Sequence, residues 1–201
     1  MRDCAEDIGG EFPVTCQEFI VNEQLGAGAW PEYAGKQSLR CDSGRSALLL
    51  ALRHWQRESG RCPDVWLPSY LCSSVPNTVC RAGLRVHAYE DGPGEALPFR
   101  PPEPQAGDLV GIVHYFGHVN RRALAWLSDV TSRNWGVIED CVQTPYSAGV
   151  GVTGNYAITS LRKWWSATDG ASLHFQGETW MPALLEPDEG FLGRHQVAVM
   201  Y

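Results

Sequence analysis

No stretch of this chain approaches the ~20 consecutive apolar residues that a helix needs to cross a bilayer, so the sequence predicts no membrane span. No C-x-x-C pair occurs. The seven cysteines, an odd count, fall at spacings that suit neither zinc nor a closed disulfide framework, so no metal site is expected and a reducing cytoplasm fits best. Basic tracts are missing too. With 16 Lys and Arg against 23 Asp and Glu, the formal charge of −7 argues against a nucleic-acid surface, which needs clustered cations to release counterions. The opening Met1-Arg2-Asp3-Cys4-Ala5-Glu6-Asp7 lacks the apolar run of a secretory signal, so export is not expected. His114 and His118 have helical metal spacing. However, His114-Tyr115-Phe116-Gly117-His118 crosses from a strand end into a glycine turn, so the two would not share a helical face.

The composition is globular, 44% hydrophobic and 19% charged, and 201 residues suffice for one main domain with a substantial core. Residues 46 to 58 read as a helix, with Ser46 near the N-cap and Gly60 just past the end. A short buried strand follows at 64 to 68, then a helix at 71 to 82 and a strand at 84 to 89. Residues 90 to 106, rich in Pro, Gly and Glu, form a loop. Beyond it the pattern predicts a continuous apolar strand at 108 to 114, a helix at 121 to 132, and strands at 135 to 139, 155 to 160 and 171 to 175. Such alternation predicts an α/β fold of three layers: a mostly parallel sheet with helices on both faces and functional residues at the carboxyl ends of strands. The expected organisation is an N-terminal segment at 1 to 40, a core domain at 41 to 177 and a tail at 178 to 201.

Three segments carry candidate chemistry. Lys163, in Ser160-Leu161-Arg162-Lys163, follows a strand and could anchor a cofactor covalently; the bland alternative is a solvated surface lysine. Asp140 ends the strand that begins at Trp135, where it could be a catalytic carboxylate or cap a following helix. Ser43-Gly44-Arg45-Ser46 precedes the apolar run Ala47-Leu48-Leu49-Leu50-Ala51-Leu52, which suggests either an anion site at a helix N-terminus or an ordinary cap.

The motifs Ile8-Gly9-Gly10-Glu11-Phe12, Ser43-Gly44-Arg45-Ser46-Ala47-Leu48, Leu67-Pro68-Ser69-Tyr70, His114-Tyr115-Phe116-Gly117, Ile138-Glu139-Asp140-Cys141-Val142-Gln143 and Ser160-Leu161-Arg162-Lys163 with Asp169-Gly170 occur in this order. In that order the chain resembles the fold-type I enzymes dependent on pyridoxal 5'-phosphate (PLP), and most closely the DegT-like amino-sugar aminotransferases. The resemblance implies that Lys163 is the Schiff-base lysine, that Asp140 pairs with the pyridinium nitrogen, and that Gln143 lies near the cofactor's 3-hydroxyl. It further implies that the amides of Gly44, Arg45 and Ser46 hold the phosphate and that Ser160 gives it a hydroxyl. Where the family commonly places an aromatic ring over the cofactor, this chain has Tyr70-Leu71-Cys72-Ser73, leaving Tyr70 or Cys72 to cover it.

By this resemblance the protein is an aminotransferase using a small-molecule amino donor and a keto acceptor, with a ketosugar nucleotide as the family default and a homodimer as the working state. Two other readings stay open. One is a PLP-dependent dehydratase or related PLP chemistry, against which retention of Lys163 counts because dehydratase relatives replace that lysine. The other is a non-catalytic binding or assembly subunit, motivated by the 38 residues after Lys163, too few for the family's small C-terminal domain.

Overall fold

The computed structural model describes residues 30–94, 97–130, 132–164 and 169–177. The motif at 8 to 12 and the tail at 178 to 201 lie outside them. Strand β1 (Gln37–Cys41) runs into helix α1 (Gly44–Ser59). Ser43, in extended backbone, caps α1 by accepting a hydrogen bond at Oγ from Ser46 N at 3.3 Å, and Gly60 closes it in the left-handed region at φ 67°. The cap is therefore Ser43 rather than Ser46. A capping hydroxyl reaches the amide three residues on, which makes Ser46 its target. Buried Ala47, Leu48, Ala51 and Leu52 give α1 one apolar face.

Strand β2 (Asp64–Pro68) leads to helix α2 (Ser74–Arg81), shorter than the segment expected from 71 to 82. Pro76 explains the late start. A helix begun at residue 71 would need the proline nitrogen to donate to the Cys72 carbonyl, and proline has no N–H to give. Strands β3 (Arg85–Tyr89) and β4 (Leu109–Val113) precede helix α3 (Arg121–Asp129), which Asn120 caps by accepting from Ala123 N at 3.1 Å. Strands β5 (Gly136–Asp140), β6 (Tyr156–Ser160) and β7 (Ala171–Phe175) complete the order.

These seven strands form one sheet in the order β1-β7-β6-β5-β4-β2-β3. β7 runs antiparallel to both of its neighbours, and the remaining pairings are parallel. Side-chain alternation separates two cores. Leu109 packs with α1 and α2 residues such as Leu52 and Val79, while Val110 and Ile112 pack with Ala123 and Leu127 of α3 on the opposite face. This is the three-layer, mostly parallel α/β arrangement that the sequence predicts. It places the carboxyl ends of β2, β4, β5 and β6, together with the N-terminus of α1, along one edge of the sheet.

Candidate functional site

Lys163 lies in a single 3-10 turn, Leu161–Lys163, that follows β6 directly. Buried Leu161 anchors the turn and leaves Lys163 and Trp164 exposed. Three hydrogen bonds fix its place. Leu161 N donates to Gly170 O at 2.8 Å and Gly170 N donates to Asp42 O at 2.7 Å, joining the lysine turn to the residue before the α1 cap. Trp164 Nε1 donates to Val142 O at 2.8 Å, joining it to the segment after Asp140. Gly170 is required there: its φ is 103°, which side chains rarely adopt, and a Cβ would come within 3.3 Å of Leu161 Cδ1.

The α1 N-terminus meets the same strand ends. A Cβ built on Gly44 would lie 3.8 Å from Val142 Cγ2 and 3.9 Å from Ile158 Cγ2, so the first turn of α1 abuts the ends of β5 and β6. Of the Asp140 carboxylate, Oδ1 accepts from Val142 N at 3.0 Å, closing a turn rather than capping a helix. Burial raises the Asp140 pKa above the usual carboxylate value, and neither the Val142 amide nor nearby Lys163 cancels that rise. A carboxyl in this state gains from a cation placed beside it. The Ser160 hydroxyl, at the buried end of β6, has no protein partner among the described residues. An amine, a carboxyl, a free hydroxyl and a helix N-terminus whose Gly44 and Arg45 amides have no partner among the described residues, Ser46 N being given to Ser43 Oγ, therefore converge, a donor set that fits a phosphate-bearing aldehyde.

The other expected residues sit at the margin. Gln143 accepts from Phe116 N at Oε1 (2.7 Å) and from Gly117 N at its carbonyl (3.0 Å), so its side chain holds the turn after β4. Phe116 has φ 50°, strained for a residue with a side chain. The Tyr70 ring leans on Tyr115 and Phe116, at centroid distances of 5.8 and 6.4 Å, and its carbonyl accepts from Tyr115 Oη at 2.8 Å. Cys72 is different. Its thiol pKa is lowered, chiefly by the Ser74 hydroxyl and amide, with smaller and opposing effects from Lys163 and Asp140.

Sequence reasoning passed over the support beneath the site. Glu139, fully buried, accepts from Thr153 N and Gly154 N at Oε1, and from Gly151 N and His114 Nε2 at Oε2, over 2.6 to 3.0 Å. Burial pushes its pKa up, but the His114 contact and these amides outweigh that and hold it below the usual carboxylate range. Its place next to Asp140 was the available signal, since adjacent strand residues point to opposite faces. His114, Glu139 and Cys141 bring potential metal-ligand atoms within 4.8 Å of one another. That group is already committed: Asn120 N donates to His114 Nδ1 at 3.1 Å, which assigns the ring proton to Nε2 facing Glu139. A metal would have to displace these bonds.

Comparison with known proteins gives a fold. No protein-family model matches the chain, and no curated protein matches it. Solved structures do match. The aminotransferase TlmJ from Streptoalloteichus hindustanus superposes with a TM-score of 0.58 at 17% identity, over 84% of this chain and 53% of that one. The E coli GDP-4-keto-6-deoxy-D-mannose-3-dehydratase with bound hydrated PLP gives 0.57 at 15% identity, over 80% and 47%. The sugar aminotransferase CalS13 from Micromonospora echinospora gives 0.52 at 18% identity, over 90% and 47%. The chain thus spans about half the length of the structures it matches. At these identities the likeness establishes that the chain has the PLP-dependent transferase fold of these enzymes.

Proposed function

We propose that this chain binds pyridoxal 5'-phosphate through Lys163 and serves an aminotransferase of the DegT-like kind. The observation that carries the proposal is the stitching of the Lys163 turn to the α1 cap through Gly170 and to the Asp140 loop through Trp164. Three separate segments converge on one edge, at the sites the resemblance assigns to the amine, the carboxylate and the phosphate cradle. When bound, the cofactor supplies a conjugated ring that takes up the electron pair left when a substrate bond breaks.

The chain's own residues do the rest. Lys163 attaches the cofactor and, once released by the amino donor, carries a proton between the two carbons of the transamination. Asp140 keeps the ring nitrogen protonated, and its raised carboxyl is stabilised by that cation. The Gly44 and Arg45 amides hold the phosphate, joined by that of Ser46 once the phosphate takes the place of Ser43 Oγ, with the Ser160 hydroxyl as a further donor. Gln143 positions the Phe116 turn at the cofactor's margin, and Tyr70 or Cys72 covers the ring face.

Further parts of the reading are a small-molecule amino donor, a keto acceptor such as a ketosugar nucleotide, a homodimer and a cytoplasmic location. Five free cysteines among the described residues suit a reducing compartment. One neighbour is a dehydratase, which keeps sugar dehydration as a second reading; Lys163 favours transamination, because dehydratase relatives replace that lysine. The test is to incubate the protein with pyridoxal phosphate, reduce with borohydride and map the adduct by mass spectrometry. We expect it on Lys163 and lost in Lys163→Ala. An unlabelled Lys163, or equal labelling of other lysines, would reject the proposal. Amino-group transfer balanced against keto product then separates transamination from dehydration.

A further inference from the structure

Lys36 and Lys163 are the two lysines of a chain that otherwise draws its cationic side chains from arginine. Lys36 stands away from the proposed cofactor edge. It precedes β1, whose Gln37 pairs with Phe175 at the end of β7, and Phe175 in turn pairs with Tyr156 at the start of β6. Ser160 lies at the other end of β6, about 13 Å along the strand. Arg61 and Arg122 each meet a buried carboxylate, but the Lys36 ammonium makes no ion pair among the described residues. Its Nζ donates to Gly154 O at 2.6 Å, which leaves two of its three donors unspent. Glu139 attracts it, yet both Glu139 oxygens are already filled by three amides and His114. Burial of half the side chain lowers the Lys36 pKa, and Glu139 opposes that only in part. A half-buried cation that touches no anion is costly, and an anion from solution can relieve the cost if it has room to enter.

The room is there. Glu32, Tyr33, Gly35, Lys36, Ser38 and His174 line a cleft of about 570 Å³, within the range of small-molecule pockets. A turn shapes it: Lys36 N donates to Tyr33 O at 3.1 Å, and Gly35 takes φ 74°, where a Cβ would meet nothing within 4 Å. Ser38 pairs with His174 across β1 and β7, so the two side chains share a face and the exposed Ser38 hydroxyl lies on the cleft side. The rings of Tyr33 and His174, with centroids 4.6 Å apart, supply a wall. Burial and then Lys36 lower the His174 pKa to about 4, so this ring adds no second cation near neutral pH. Exposed Glu32 adds one negative charge, which repels a dianion more than a monoanion. One ammonium, one hydroxyl and one ring wall suit a single carboxylate on a short apolar body.

We propose that the cleft beside β1 binds a small monocarboxylate through Lys36 Nζ and the Ser38 hydroxyl, at the sheet edge opposite the proposed cofactor site. The inference stands apart from the PLP reading, because Glu32, Lys36 and Ser38 belong to no part of that site. Two sources share the chemistry: a simple organic acid, or an α-amino acid whose ammonium would meet Glu32.

The experiment titrates the full chain by calorimetry with propanoate, alanine, malonate and propanamide, with and without saturating pyridoxal phosphate. A second arm, without pyridoxal phosphate, follows reductive methylation of Lys36 and Lys163 by peptide mass spectrometry. Propanoate or alanine is expected to bind equally well with the cofactor present, malonate more weakly, and uncharged propanamide not at all. At ten times its dissociation constant the carboxylate should slow methylation of Lys36 about tenfold, in proportion to the sites left empty, and leave Lys163 at its free rate. Lys36→Met is expected to lose at least about tenfold in affinity while keeping the wild-type circular dichroism. Glu32→Gln should narrow the gap between malonate and propanoate. Tighter binding of alanine than of propanoate would identify an amino acid as the source; the reverse would identify a simple acid. The proposal is overturned if Lys36→Met binds as wild type does, if propanamide binds equally, if malonate binds more tightly than propanoate, if pyridoxal phosphate displaces the carboxylate, if the ligand leaves Lys36 methylation unchanged, or if nothing binds. Should Lys36→Met fail to fold, Ser38→Ala, at an exposed position and expected to lose affinity, carries the same test.

Discussion

Glu139 and Asp140 are neighbouring carboxylates with opposite fates, because alternate strand residues face opposite ways. Glu139 is buried and spends both oxygens on three backbone amides and His114. Asp140 keeps one oxygen free of backbone bonds at the edge where Lys163 sits. Glu139→Ala would strand those buried donors and is expected to cost about 3 kcal/mol or more, read from urea unfolding. Asp140→Asn is expected to unfold with wild-type urea dependence and still attach cofactor, yet to slow turnover about tenfold or more, equivalent to about 1.4 kcal/mol in the barrier. A stability loss in Asp140→Asn matching that of Glu139→Ala would contradict the division of roles. His174 gives a second residue-scale test. Fully buried, with Nε2 paired to Ser172 Oγ at 2.7 Å, it has its pKa lowered from 6.5 to about 4 by burial and then by Lys36. Below pH 6.5 the unfolded chain takes up a proton that the folded ring refuses, so this stability is whole above 6.5 and drains away between 6.5 and about 4. The drain amounts to about 3 kcal/mol. His174→Asn should flatten the pH dependence of unfolding across that window by about this amount; parallel curves for variant and wild type would refute the assignment.

At the scale of elements, the long connection from β5 to β6 holds the site together although it contains no helix or strand. Its amides at Gly151, Thr153 and Gly154 grip Glu139, and Tyr33 Oη donates to Pro145 O at 3.1 Å across it. Gly151 has φ 73°, and a Cβ there would fall 2.6 Å from the Tyr33 ring. Gly151→Ala is accordingly expected to destabilise by about 2–3 kcal/mol and to loosen the Asp140 edge; thermal unfolding together with PLP affinity would measure both, and an unchanged melting temperature would show the loop to be slack. This connection was the least legible part of the chain, because its order comes from amides meeting a distant carboxylate and not from a repeating pattern. The continuous apolar runs of β4 and β5, by contrast, were readable outright, since strands covered on both faces need no alternation. β1 escaped because it is an edge strand with two exposed positions in a row and only Leu39 and Cys41 to bury. At the proposed site, the positions of Asp140 at the end of β5 and Lys163 just past β6 were legible from the strand pattern. The Gly170 and Trp164 links were not, because they depend on which strands become neighbours in the sheet.

For the molecule as a whole, the consequence is that the proposed cofactor site is assembled from parts far apart in sequence. The α1 cap, the end of β5 and the turn after β6 meet only when β5 and β6 pair in parallel and α1 docks against both. A ligand that binds this edge can bind only the folded sheet, so its binding free energy adds to folding stability. At a hundredfold excess over its dissociation constant, pyridoxal phosphate should add about 2.7 kcal/mol, or roughly 5–11 °C in melting temperature for a domain of this size. Lys163→Ala keeps the phosphate cradle but not the covalent link, so it should show a smaller shift at the same concentration. Replacing Gly170 with alanine should erase the shift, because it breaks the connection between the lysine turn and the α1 cap while leaving both segments intact. Differential scanning calorimetry of the three proteins, with and without cofactor, decides the matter. Equal shifts in all three would mean that the cofactor binds elsewhere, and no shift in wild type would mean that this edge does not hold it.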